Sequence, residues 1–241
     1  MDPDVIDIKT VFGSWPKRRL DVSAQELLRD IQHSGISRAI TVSTTAILYD
    51  DVAGNEETMR TCEEHPALIP AATLHPQNYL EDERKIAALK ERGFRIFRFF
   101  NKLQGYELDL YCVNRILNDL KKAEMPCIMD AVSVADAHKI ARLSQEFELD
   151  IICTGLGYAF QAEVIALARD FPHVYFDAGR LTGPDGIELF CKHAGAHRLV
   201  YGSDYPFDNV LSSLYLLQHA GISERERELI AAGNIARMVA L

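Results

Sequence analysis

Charged side chains interrupt or end several short apolar runs, and their types could do chemistry together. Asp204 ends "LVYGSD" (199–204), and Asp130 lies near the end of "PCIMDA" (126–131). Lys9 lies inside "VIDIKTV". A carboxylate can exchange protons with a substrate, and a desolvated lysine can hold negative charge or act as a nucleophile. These three residues are our candidate catalytic groups.

Three further polar residues accompany other apolar runs. Arg98 stands between two phenylalanines in "FRIFRFF" (94–100), where an unpaired charge is costly. It pairs either with Asp130 or Asp177 or with a substrate carboxylate, and the sequence leaves both readings open. Asp177 in "VYFDAG" either contacts substrate or organises its loop. His75, directly before Pro76, either relays a proton or caps a loop.

The charge balance indicates the kind of partner. The net charge of −9 argues against a general nucleic-acid-binding protein, which needs a basic surface to neutralise phosphates. In this acidic chain, "WPKRRLD" (15–21) contains three consecutive basic residues shortly after a tryptophan. We therefore expect a small anionic substrate, with Arg18 and Trp15 among the residues that bind it.

The elements that must position these residues alternate regularly along the chain. Apolar runs of strand length are separated by segments of helical period, which is typical of βα units. Eight such units predict a (β/α)8 barrel, a TIM barrel, formed as one domain over 1–241. A doubly wound open sheet is the alternative, although no glycine-rich turn follows the first strand. The predicted strands are 5–11, 39–44, 69–74, 94–100, 126–131, 150–155, 174–179 and 199–204.

The barrel prediction places the candidate residues at one end of the molecule. Active sites of such barrels lie at the carboxyl ends of the strands, where the polar residues would converge. Helices are predicted over 23–35, 134–147 and 162–171. Ser23 with Glu26, and Ser223 with Glu226, have the spacing of a capping box. In 45–68, a loop of roughly ten residues is expected before the helix, and its part 45–55 is a candidate cover for the site.

The cysteines and the chain's start indicate a compartment. The five cysteines are widely spaced and form no CxxC pair, which favours reduced thiols in a cytoplasmic protein. "MDPDVIDIK" has neither the basic start nor the apolar core of a signal peptide. No apolar run approaches the ~20 residues that cross a bilayer. We expect no membrane partner.

Several of these segments resemble the amidohydrolase-related TIM-barrel family, which includes dicarboxylate lactonases and metal-dependent decarboxylases. "HRLVYGSDYPFDN" (197–209) is similar to the family's final strand, whose aspartate is a metal ligand and general base; here that residue is Asp204. "IAAGNIARMVAL" (230–241) resembles the closing helix, and "HVYFDAGRL" (173–181) resembles the strand before the last. "VIDIKTVFG" (5–13) occupies the place of the first strand.

The sequence departs from the family at its metal-binding histidines. The first strand of the family normally ends in His-x-His, and alternation places both imidazoles on one face. Here the matching residues are Lys9 and Val11. Asp130 stands where the fifth strand has its histidine, and Gly155 where the sixth has one. We therefore expect no cofactor, with Lys9 in the position of the metal's charge.

A divalent metal stays an open alternative. Asp204 and Asp130, with His75, offer ligands that Mg²⁺ or Mn²⁺ accepts, but the Lys9 ammonium would repel a cation.

The resemblance implies a hydrolase that acts on a small carboxylated molecule without the usual zinc. Hydrolysis of a lactone or amide is the first expectation and decarboxylation the second. Asp204 would be the general base and Asp130 the second carboxylate, while Lys9 and Arg98 would hold negative charge and His75 would relay a proton. The alternatives are an inactive barrel that binds a ligand or partner, and a hydrolase with a carboxylate-rich metal site. Barrels of this family often pair, so a homodimer is also expected.

Overall fold

The computed structural model describes residues 4–16, 22–80 and 84–241. Within these residues, eight strands form one sheet in chain order, and each neighbouring pair is parallel. The strands are β1 (Ile6–Phe12), β2 (Arg38–Ser43), β3 (Leu68–Ala72), β4 (Ile96–Arg98), β5 (Cys127–Asp130), β6 (Ile151–Thr154), β7 (Val174–Asp177) and β8 (Leu199–Val200).

The first and last strands meet and close the sheet into a barrel. The Ile8 amide donates to the Tyr201 carbonyl at 3.0 Å, and Thr10 forms a parallel bridge with Tyr205. A doubly wound sheet keeps two open edges and reverses its strand order, so the alternative is excluded. The (β/α)8 prediction is confirmed.

Helices surround the barrel. They are α1 (Ala24–Ser34), α2 (Thr44–Leu48), α3 (Asp51–Glu64), α4 (Arg84–Arg92), α5 (Asn101–Gln104), α6 (Tyr111–Lys122), α7 (Val134–Glu146), α8 (Gln161–Asp170), α9 (Gly186–Ala194), α10 (Val210–His219), α11 (Glu224–Glu228) and α12 (Asn234–Met238), with a π-helical turn at Leu229–Gly233. The predicted helices over 23–35, 134–147 and 162–171 agree with α1, α7 and α8 to within a residue at each end. The capping box at Ser223 and Glu226 is present, and Ser23 accepts a hydrogen bond from the Glu26 amide.

Two apolar layers hold the barrel together. Between sheet and helices, strand residues such as Phe176 pack on helix residues such as Phe190, with ring centroids 6.2 Å apart. Alternate strand positions, such as Ile128 and Ile152, form a second cluster with Ile235 of α12. Strands buried on both faces explain why their sequences are apolar almost throughout.

Six of the eight strands are shorter than predicted, and β4 and β8 differ most. β4 covers three residues of 94–100, and β8 covers two of 199–204. The ladder ends early at β8 because the backbone turns away, and Asp204 adopts a left-handed φ of 64°. Residues 201–203 are nevertheless buried, so the end of this run is fixed by packing.

The predicted loop at the start of 45–68 is wrong. α2 begins directly after β2, where the Ser43 hydroxyl accepts from the Thr45 amide, and Asp50 caps α3 by accepting from the Val52 and Ala53 amides. Gly54 of α3 lies against α2 so closely that a Cβ there would stand 1.9 Å from the Ala46 nitrogen. The candidate cover at 45–55 is therefore packed helix.

None of the helices in the described ranges is long and apolar enough to cross a membrane.

Candidate active site

A cavity of about 550 Å³ opens at the carboxyl ends of the strands. It brings together five of the residues predicted from the sequence, Lys9, Arg98, Asp130, Asp204 and Trp15. The remaining lining residues are Val11, Phe100, Lys102, Leu103, Ala131, Val132, Gly155, Arg180 and Phe207.

Asp204 lies between two cations. Its Oδ1 is 3.1 Å from Lys9 Nζ, and its other oxygen accepts from the Arg180 guanidinium. The Lys9 side chain is only 5% exposed and that of Asp204 18%, so water screens this pair less than a surface pair. Arg180 also contacts Asp208 at 3.0 Å. The left-handed backbone of Asp204 costs on the order of 1 kcal/mol, and such residues cluster at functional sites.

Arg98 presents a buried charge to the cavity. One guanidinium nitrogen donates to the Thr10 carbonyl at 3.1 Å, and the group lies 4.6 Å from the centre of the Phe100 ring. In the described part of the chain it forms no ion pair with Asp130 or Asp177. Of the two readings of Arg98, the pairing with these aspartates is therefore not found, and its charge faces the cavity.

Asp130 is held by the next strand, β6, and by α5, the helix that follows β4. The Thr154 hydroxyl of β6 donates to its carboxylate, and the Asn101 side chain donates to its carbonyl at 3.1 Å. This places a second carboxylate on the wall formed by β5 and β6.

Two carboxylates lie in the protein beneath Lys9. Asp7 Oδ1 accepts from the Lys9 and Ser203 amides at 2.9 and 3.0 Å, and Asp177 Oδ1 accepts from the Gly179 amide at 2.8 Å. The second oxygen of each is buried without a hydrogen-bond partner among the described residues. Burial raises the pKa of Asp7, and it raises the pKa of Asp177 to about 6 although the Lys9 charge opposes the shift.

The structure places the other predicted site residues as follows. Asp177 is buried below the cavity rather than in its lining. His75 lies outside the lining: its Nδ1 accepts from the Gln77 amide at 3.3 Å, and its Nε2 donates to the Gln104 carbonyl at 3.2 Å. Both ring nitrogens thus bind backbone: Nδ1 caps the short turn that follows, and Nε2 contacts α5, 29 residues along the chain. Arg18 lies outside the described residues.

Phe207 and Arg180 line the cavity and were not predicted to act in it. Trp15 contacts Phe207 edge to face, with ring centroids 4.6 Å apart, and forms an aromatic rim. Arg180 follows β7 in a short 3₁₀ turn, and the "FDAGR" motif was the signal that could have found it. Its contact with Asp204 depends on how β7 and β8 are placed side by side.

The residues present do not fit the metal of the family. Lys9 Nζ lies 3.1 Å from Asp204 Oδ1, so its positive charge would repel a cation bound to this carboxylate, and Val11 supplies no donor atom. At Gly155, where φ is +98°, a Cβ would lie 2.5 Å from the Ala131 carbonyl oxygen. The described residues contain no group of three or more His, Cys, Asp or Glu side chains arranged to hold a metal ion.

Gly155→Ala is expected to destabilise the protein because the new Cβ would meet backbone. A left-handed φ and this close contact should together lower the free energy of unfolding by about 1–3 kcal/mol in urea titrations. Gly157→Ala is the matched control, since φ there is −92° and its Cβ would lie 4.0 Å from the Arg180 carbonyl oxygen. Equal stability of the two variants would contradict this account of Gly155.

The barrel with charged groups at the carboxyl ends of its strands has the architecture of barrel enzymes. The model of the Amidohydrolase family matches residues 13–241. The chain therefore belongs to the amidohydrolase family. No curated protein matches the sequence closely.

Solved structures share the fold at low sequence identity. A protein assigned as a 2-pyrone-4,6-dicarboxylic acid hydrolase from Pseudomonas putida has 19% identity and a TM-score of 0.75, over 100% of this chain and 98% of that one. The 5-carboxyvanillate decarboxylase from Sphingomonas paucimobilis has 12% identity and a TM-score of 0.76, over 100% of both chains. A dihydroxybenzoic acid decarboxylase from Polaromonas sp., solved with manganese and an inhibitor, has 15% identity and a TM-score of 0.75, over 99% and 97%.

Proposed function

We propose that the chain is an enzyme that hydrolyses a lactone or amide bond in a small carboxylated molecule, without the usual zinc. The observation that carries the proposal is the Lys9–Asp204 pair, with its atoms 3.1 Å apart, in a cavity at the carboxyl ends of the strands. The family is built around hydrolysis, and decarboxylation is the second expectation.

The lining supports an anionic substrate. Four cations, Lys9, Arg98, Lys102 and Arg180, face two carboxylates, so the cavity carries an excess of positive charge in a chain of net charge −9. Such a local excess attracts anions. Aromatic and apolar lining residues suit a small ring. The named activities of the relatives, hydrolysis of a dicarboxylic acid and decarboxylation of aromatic acids, are compatible with this class.

The proposed mechanism uses each polar group for one task. Arg98 binds the substrate carboxylate, and Asp204 removes a proton from the attacking water. The Lys9 ammonium stabilises the oxyanion that develops on the attacked carbonyl, as an oriented charge in a site with little water does effectively. The proton that Asp204 takes from the water is relayed to Asp130, oriented by Thr154, which passes it to the leaving group. His75 receives no role here, because both its ring nitrogens bind backbone.

We expect Lys9→Met and Asp204→Asn each to lower kcat/KM by about 100-fold or more, since each removes a group that acts in the transition state. The measurement is a screen of carboxylated lactones and amides, followed by aromatic acids for decarboxylation. Lys139→Met and Asp109→Asn are matched controls, because these two exposed residues pair with each other away from the cavity. Turnover that survives both site variants would overturn the assignment.

The absence of a functional metal is part of the proposal, and it rests on the donor set. Metal analysis of protein purified without chelator measures how much metal each chain binds. Manganese is included because it is bound in one of the similar structures. Substoichiometric metal that Asp204→Asn leaves unchanged is expected. One metal per chain, lost in Asp204→Asn, would favour the carboxylate-rich metal site.

An inactive barrel that binds a ligand is the second candidate. The observation that favours it is that Asp204 is already paired with both Lys9 and Arg180, so its base function requires one partner to move. Trp15 is the chain's single tryptophan and lies at the cavity, so its fluorescence reports ligand binding. A response to phthalate without turnover of any compound in the screen would support this candidate.

Three further expectations accompany the proposal. One domain over 1–241 is supported by the single eight-stranded sheet. A cytoplasmic location is supported by the five free cysteines. The homodimer stays a prediction, which light scattering after size exclusion tests.

A further inference from the structure

Lys9 brings a primary amine into the cavity. An ammonium has three N–H donors, and among the described residues this one forms its ion pair with Asp204 Oδ1 at 3.1 Å. The side chain is held almost fully buried and still lines the cavity. An amine held in this way is also a nucleophile toward carbonyl carbon.

We propose that Lys9 forms an iminium with the carbonyl carbon of a small 2-oxo acid, and that Asp204 then removes a proton from the adjacent carbon to give an enamine. This goes beyond hydrolysis, and it rests on the proposed function in one respect, that the cavity binds carboxylates.

The steps balance without any further reactant. Asp204 takes a proton from the Lys9 ammonium, and the nitrogen lone pair attacks the carbonyl carbon while the C=O π electrons move to oxygen. That oxygen takes the proton from Asp204, giving a carbinolamine. A second proton, passed from the nitrogen through Asp204, lets the oxygen leave as water, and the nitrogen lone pair forms the C=N⁺ bond. The iminium then draws the electrons of the neighbouring C–H bond as Asp204 accepts the proton.

Charge conservation favours this chemistry at this position. Ammonium and iminium both carry one positive charge, so the ion pair with Asp204 is restored once the iminium has formed. A buried ion pair is costly to break by removing one partner, and iminium formation removes neither; the later proton transfer to Asp204 neutralises both charges together.

Arg98 is placed to hold the acid group. Its guanidinium is fixed on the carbonyl of Thr10, the residue next to Lys9, and in the described ranges it has no ion pair with a carboxylate. A carboxylate bound there lies close to the Lys9 side chain. In a 2-oxo acid the carboxylate and carbonyl are directly bonded, which suits the Lys9 amine and a guanidinium from β4 that is anchored on the carbonyl of the next residue, Thr10.

The experiment uses pyruvate as the probe. Wild-type protein and pyruvate are incubated with cyanoborohydride, and the modified residue is found by peptide mass spectrometry. Lys9 should be modified at least about tenfold more than exposed lysines such as Lys139, because the site orients the two reactants. Exchange of the pyruvate methyl protons with deuterated water, followed by NMR, should accompany it.

Lys9→Arg is the decisive variant, since it keeps a cation beside Asp204 and cannot form an iminium. It should lose both the adduct and the exchange, while Lys139→Arg keeps both. Phthalate, which has no ketone, should compete with labelling at Lys9.

The outcomes separate this inference from the proposed function. If Trp15 fluorescence responds to phthalate and Lys9 is not labelled above Lys139, the iminium is overturned and the carboxylate site stands. If neither response nor labelling occurs, both are overturned.

Discussion

Lys9→Met is expected to lower the free energy of unfolding by about 2 kcal/mol at pH 8. Removing one partner of a buried ion pair leaves the other charge uncompensated, at a cost of about 3–5 kcal/mol when both are fully buried. The cost here is smaller because Asp204 keeps Arg180 and its side chain is 18% exposed. Urea titrations of the variant and wild type measure it.

A double-mutant cycle identifies the source of this loss. Adding Asp204→Asn to Lys9→Met removes the uncompensated carboxylate, so the double variant should be more stable than the sum of the single changes predicts. Additive single changes would mean that the 3.1 Å contact contributes nothing to stability. Lys139→Met, which breaks an exposed pair, should change stability by under about 1 kcal/mol.

Asp177→Asn is expected to stabilise the protein by about 2 kcal/mol at pH 8 and to have little effect at pH 4. The pKa of Asp177 is about 6 in the folded protein, against 3.8 for an ordinary aspartate, because the carboxyl is buried. Folding thus favours the protonated form. The native protein loses this stability as the pH rises from about 4 through 6, and above that range the full cost of a buried charge remains.

The size of this effect follows from the pKa difference. Each pKa unit corresponds to about 1.4 kcal/mol, which gives about 3 kcal/mol, reduced by the cost of a buried amide. Neighbouring charges are Lys9, Arg180 and Asp204, and Lys9 is the charge that lowers this pKa most. Unfolding free energies measured from pH 4 to 8 test it, with the exposed Asp109→Asn as the control. A stability difference that does not change with pH would contradict the assignment.

The barrel could be predicted from the sequence because its pattern repeats. Strands buried on both faces read as short apolar runs, and eight of them separated by helical segments leave few other folds. The loop predicted before α3 was wrong although the capping residues Ser43 and Asp50 were visible in the sequence. The composition of this segment favoured a loop, whereas in the structure the close packing of Gly54 on α2 stabilises two helices.

The site was predictable where a residue lies on or just after a strand. Lys9, Asp130 and Asp204 share the cavity because carboxyl ends of parallel strands meet. Arg180 was missed because its role depends on a partner 24 positions away on another loop. For His75 the sequence could not distinguish a site residue from a cap, since that depends on where its ring points.

The hydrogen bonds of Asp7 indicate when the site forms during folding. Its carboxylate accepts hydrogen bonds from the amides of Lys9 and Ser203. Lys9 is close to Asp7 in the sequence, whereas Ser203 is 196 positions away. Contacts of such long sequence separation form late, because closing a long loop loses much chain entropy. The Lys9–Asp204 pair is therefore assembled only after residue 204 has been synthesised and the barrel has closed. A ribosome-bound chain that lacks its last strand would carry every other wall of the cavity and still have no reactive centre.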